Sequence, residues 1–175
     1  MTIIAALIAA LVAVTGYMVT QAQARRERRA NEFADALAAV EEYLEAPYRI
    51  RRRRAATPEA REALANTLSD LQARIARHRS WLRVEASPVA EAYDALVAAA
   101  RSEAGVQMTE AWNSAPPASD ADMNLRVAYQ HPNSDAERDK VIAVMKENLR
   151  YMPSIRSLCR RRNAVTGSSS TGSQP

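Results

Sequence analysis

The side chains that could do chemistry are few and far apart. Metal chemistry needs several imidazole, thiolate or carboxylate ligands at set spacing, and the sequence offers His78, His131 and Cys159 on separate stretches of chain. Asp120, Asp122 and Asn124 copy the first ligand positions of a calcium loop. The sixth position is Leu125, where a glycine makes the sharp turn, and the twelfth is His131, where a glutamate supplies two oxygens. His78 lies between Arg77 and Arg79, which disfavour its charged form and would suit a base. No nucleophile motif accompanies it, so a satisfied core histidine is the simpler expectation. Cys159 precedes Arg160, Arg161 and Arg162, an electropositive setting of the kind that activates thiols, yet no second cysteine or nearby histidine would use it. Glycines at 16, 105, 167 and 172 make no phosphate loop, and no nucleophile elbow or metalloprotease motif is present. The expectation is a protein that is not an enzyme, with no cofactor and no metal. An enzyme using Asp120 and Asp122 is the least favoured alternative.

The arginines carry more physical content. Arg25, Arg26, Arg28 and Arg29 follow directly on a stretch without a single charge. Beside a bilayer, each would gain on the order of 1 kcal/mol from anionic lipid headgroups, and such a cluster tends to stay on the cytoplasmic side. Arg49, Arg51, Arg52, Arg53 and Arg54 form the densest basic run, expected as a solvated loop that meets an anionic surface. That surface is a lipid one if the preceding helix lies back along the bilayer. Nucleic-acid phosphates are less favoured, because Tyr48 alone offers an aromatic face for base stacking. Local balance by Glu41, Glu42 and Glu45 is the plainer alternative.

These residues need elements to hold them. Thr2 to Thr20 is apolar apart from three threonines, Gly16 and Tyr17. As a helix its nineteen residues rise about 28 Å, close to the roughly 30 Å hydrocarbon layer. A single membrane-spanning helix over 1–24 is expected, since such a helix satisfies every backbone amide internally. The rival reading is a signal peptide cleaved after Ala24, because Ala22, Gln23 and Ala24 have the small-x-small form. It is disfavoured by the absence of basic residues before the apolar run and by the arginines after it. Ala5, Ala9, Ala13 and Gly16 form a small-residue stripe, expected to face lipid in so alanine-rich a chain.

Beyond Arg25, Phe33, Leu37, Val40 and Leu44 repeat at helical spacing until Pro47 interrupts. Thr57, Pro58 and Glu59 carry a helix-start pattern, and Leu64, Leu68, Leu71, Ile75, His78 and Leu82 then mark one buried stripe. Ser87 and Pro88 repeat the signal ahead of Val89, Tyr93, Leu96, Val97 and Ala100, through a tight turn rather than a kink in one long helix. Residues 113–133 hold three prolines and no sustained period, which predicts a long loop. Ser134 and Glu137 have capping-box spacing and open a last helix through Val141, Ile142, Met145, Leu149 and Met152, ending at Pro153. From Asn163 onward the sequence has almost nothing to bury and should be disordered.

With 175 residues, 5% aromatic content and one cysteine, the chain supports one modest domain held by burial alone. The core should be thin, and self-association or a protein partner is expected to support it. Twenty-two arginines against two lysines, with abundant alanine, suit a GC-rich bacterium or phage. The expected fold is mainly α: a transmembrane anchor over 1–24, a juxtamembrane helix and basic loop over 25–56, a small cytoplasmic helical hairpin or bundle over 57–162 and a tail over 163–175. The expected function is that of a single-pass tether or protein-interaction module in the inner (cytoplasmic) membrane, N-terminus outside, with the lipid bilayer as first partner.

Overall fold

The computed structural model describes residues 2–123 and 128–150, without the side chains of 2–9, 11 and 120. Cys159, Met152, Pro153, the tail and part of the calcium-like loop lie outside the described residues. The fold is mainly α, with no strand among the described residues.

Helix α1 (Thr2–Leu44) is unbroken. Phe33, Val40 and Leu44 are buried and Leu37 half-buried, as the spacing predicts, and Ala36 and Ala39 fill the positions between them. The helix ends at Leu44 and the chain turns at once into α2 (Ala46–Arg51). Pro47 sits in the first turn of α2, where its missing amide leaves no helical hydrogen bond unmade. The expected solvated loop is thereby corrected. Tyr48 to Arg51 are helical and Ile50 is fully buried, because an apolar side chain inside the basic run anchors it to the core.

Helix α3 (Pro58–Glu85) starts as predicted, with the Thr57 hydroxyl accepting from the Ala60 amide at 3.3 Å. Leu71, Ile75, His78 and Leu82 are buried, whereas Leu64 and Leu68 are only half-covered. The Glu42–Arg74 ion pair explains the difference: α1 stops near that level, and the first turns of α3 run on past it. Ala86 alone separates α3 from α4 (Ser87–Asn113). Across this break Arg79 and Arg83 reach the two carboxylate oxygens of Asp94 at 2.6 and 2.9 Å. In one continuous helix residues 79 and 94 would lie about 22 Å apart, so the connection is a tight antiparallel turn and not a kink.

Helix α5 (Pro132–Arg150) begins two residues before Ser134. The expected capping box is therefore corrected. Ser134 is fully buried, and its hydroxyl donates to Glu103 of α4 at 2.6 Å, so the cap is supplied across the fold. Glu103 also accepts from the amides of Asn133 and Ser134, at 2.9 and 3.1 Å. Among the described residues the connection between α4 and α5 holds one short 3-10 turn, Asp120–Met123. It is pinned to α2, where Tyr48 accepts from the Tyr129 amide at 2.8 Å and Arg52 donates to the Met123 carbonyl at 3.1 Å.

Cross-helix contacts fix the directions. α3 runs against α1, with Arg29 facing Glu85 at one end and Glu42 facing Arg74 at the other. α4 runs with α1, the Tyr93 hydroxyl donating to the Ala36 carbonyl at 3.0 Å. α5 runs against α4, with Ser134 on Glu103 and His131 on Gln107. Tyr93, Leu96, Leu82, Ile75, Phe33 and Val141 close the core between the four long helices.

Candidate functional site

Outside the bundle, α1 continues alone. Residues 12–23 are all exposed, and Val12, Tyr17 and Met18 show 65, 63 and 63% of their surface. The Thr20 hydroxyl bonds back to the Gly16 carbonyl at 3.0 Å, satisfying itself on its own helix. No helix among the described residues is long and apolar enough to cross a membrane. The segment expected to do so includes 2–9 and 11, whose side chains are outside those described.

The four arginines of the first cluster sit where this arm meets the bundle. Arg25, Arg26 and Arg28 are exposed. Arg29 is half-covered and paired with Glu85 at 3.4 Å. The second cluster lies at the opposite end. From Arg25 to Leu44 the helix climbs about 28 Å, and α2 begins beyond that. The two clusters therefore do not form one surface.

Within the second cluster the residues divide. Arg49, Arg52 and Arg54 are exposed and Arg51 is half-exposed, and Arg52 rides over the Tyr48 ring at 5.3 Å while keeping a 3.9 Å contact with Glu45. Arg53 is turned inward, only 7% exposed. Its guanidinium donates to the carbonyls of Ile50 and Ala111 at 3.0 and 2.8 Å, and to those of Trp112 and Ser114. It also lies 5.6 Å from the centre of the Trp112 ring. Ala111, Trp112 and Ser114 lie at the C-terminal end of α4, where the helix dipole favours a cation, and the Ala111 carbonyl accepts from the Ser114 amide as well as from this guanidinium. Arg53 is a helix cap from another element and is not available to an external anion.

His78 is a core residue, 1% exposed. Its Nε2 faces an Arg77 donor at 3.3 Å, which makes Nε2 the acceptor and leaves the proton on Nδ1. That Nδ1 stands 3.7 Å from the Glu32 carboxylate, and both atoms are buried without a hydrogen-bond partner. Burial, reinforced by the Arg77 charge, pushes the His78 pKa down and holds the ring neutral. His131 is placed elsewhere, against Gln107 at 2.8 Å.

No family model matches the chain, and no curated protein or solved structure matches it. The site must be read from its own geometry. Among the described residues no group of three His, Cys, Asp or Glu side chains could hold a metal ion. The Asp122 carboxylate accepts from the Ser119 amide and hydroxyl at 3.1 and 2.9 Å, the bonds of a local turn. A shallow, open depression lies on α5 between Ala143, Lys146, Glu147 and Arg150, too exposed to shield a reaction from water.

The sequence reading missed Glu103 and Asp94 and gave Arg53 to the anionic surface instead of the end of α4. Each acts across the fold on a helix end or a turn. The only local trace was the i, i+4 spacing of Arg79 and Arg83, which puts both on one face and within reach of a single carboxylate.

Proposed function

We propose that this chain is a single-pass membrane protein whose helical bundle acts as a tether or protein-interaction module, without catalytic chemistry of its own. The observation that carries this reading is the bare arm of α1. An uncharged, largely apolar helical segment leaves the bundle with its described side chains exposed, and it belongs to the same helix that lines the core. Exposed apolar surface on that scale calls for a covering medium. The length of the uncharged stretch matches a hydrocarbon layer, and the arginines begin where the headgroups would. The bundle then stands in the cytoplasm at the inner membrane. Arg25, Arg26, Arg28 and Arg29 set its orientation, while Arg49, Arg51, Arg52 and Arg54 offer a separate anionic-partner surface.

The test is fractionation of the full chain with a topology reporter fused after Pro175. Pelleting with membranes through an alkaline carbonate wash, with a cytoplasmic reporter signal, is the expected result. A chain left in the supernatant after ultracentrifugation would overturn the reading. A mature species starting at Arg25 would instead identify an exported, cleaved protein.

A further inference from the structure

The bundle has two basic ends, and only one of them can meet the bilayer. Resting on the membrane-anchored reading above, we propose that the α3–α4 turn, with Val84 at its tip, together with Arg25, Arg26, Arg28 and the end of α5 at Arg150, forms the lipid-contacting face of the bundle. On this geometry the Arg49–Arg54 cluster is held clear of the headgroups.

Helix α1 serves as a ruler along the bundle. Arg29 pairs with Glu85 at 3.4 Å, and Phe33 meets Trp81 with ring centres 6.0 Å apart, so the α3–α4 turn stands level with Arg29. Arg29 lies five residues past Ala24, the last position before charge begins, which is about 8 Å of helix. That is close to the thickness of one headgroup layer, roughly 5–7 Å. Val84 is 82% exposed there, more than any other large apolar side chain among the described residues, and it follows Arg83, whose side chain is 60% exposed.

The α4–α5 pairing brings a third element to the same level. Sixteen residues separate Glu103 from Ser87, and sixteen separate its partner Ser134 from Arg150, so the end of α5 lies beside the start of α4. Arg29 and Arg83 at this end are taken up by Glu85 and Asp94, which leaves Arg25, Arg26, Arg28, Lys146 and Arg150 exposed against Glu27, Glu91 and Glu147, an excess that suits anionic headgroups. The distal cluster lies about 28 Å or more further along the rod, beyond three Debye lengths of roughly 8 Å at physiological salt. Because α1 is unbroken from Thr2 to Leu44, it has no hinge that would fold the distal end back.

The full chain, carrying Cys159→Ser, is placed in nanodiscs containing phosphatidylserine, and a fluorophore is attached at Val84→Cys or, separately, at Arg54→Cys. Quenching by headgroup-linked spin labels needs close approach, so it is expected to be at least about threefold stronger at 84 than at 54, which stands a bundle's length further from the headgroups. Equal quenching at the two positions, or stronger quenching at 54, with the chain inserted in the disc, overturns the inference while leaving the anchor intact. Failure of the chain to enter the discs overturns the anchor and the inference with it.

Discussion

Arg53 has the same side chain as its neighbours and an opposite fate. The last carbonyls of α4 are short of partners in their own helix, the Ser114 amide being shared between Glu110 and Ala111, and a planar guanidinium with five donors can serve several of them at once. Replacing Arg53 with Ala is expected to lower stability by about 3 kcal/mol, since charged-group hydrogen bonds are lost and buried acceptors are stranded. Arg53→Lys should recover less than half, because one ammonium cannot bridge the set. Urea denaturation followed by far-ultraviolet circular dichroism measures both. A loss of under about 0.5 kcal/mol in the Ala variant would remove the cap from the account. Nothing local distinguishes Arg53 from Arg52 or Arg54; its role was illegible until α4 was seen to end against α2.

At the scale of elements, the starts of helices were readable where the signal is local and obscured where it crosses the chain. Thr57 and Pro58 act on the amides just after them, so their pattern sufficed. Ser134 looks like the same device, but its helix begins earlier and Glu103 caps it from α4. Burial works against the charged form of Glu103, yet the hydrogen bonds from Ser134 and Asn133 outweigh it and hold the carboxyl below its usual value of 4.5. A depressed carboxylate stabilises the fold fully above that usual value and loses the contribution as pH falls through the lower, folded-state one. Glu103→Gln should therefore cost on the order of 1 kcal/mol near neutrality, and the gap to the parent should shrink by about pH 3. A gap that ignores pH would mean that charge is not what the cap uses. The turn at Ala86 belongs to this scale too. Sequence favoured it over a kink, and buried Leu82, Ala86 and Val89 close it, with Arg79 and Arg83 gripping Asp94 across it.

For the whole molecule, the division between arm and bundle matters most. None of the described side chains from 12 to 23 is buried, so this stretch contributes no core. A chain beginning at Arg25 is expected to keep its thermal transition within about 3 °C of the parent in detergent, since little buried surface is removed. The same truncation should abolish sedimentation with membranes. A collapse of the helical signal on truncation would show that the arm is part of the fold. The core it leaves behind is thin, with alanine at 36, 39, 90, 100 and 104 letting helices approach closely where larger side chains would hold them apart.

By itself the sequence determined the helical class, the long helices and most of their inward faces, along with the uncharged arm and the arginines at its foot. These follow from periodicity and from residues acting on near neighbours. Only the tertiary structure decided which arginine is spent inside, which carboxylate caps which helix and how far apart the two basic ends stand. Those outcomes depend on residues distant in sequence meeting in space, and on a rigid helix setting the distance between them.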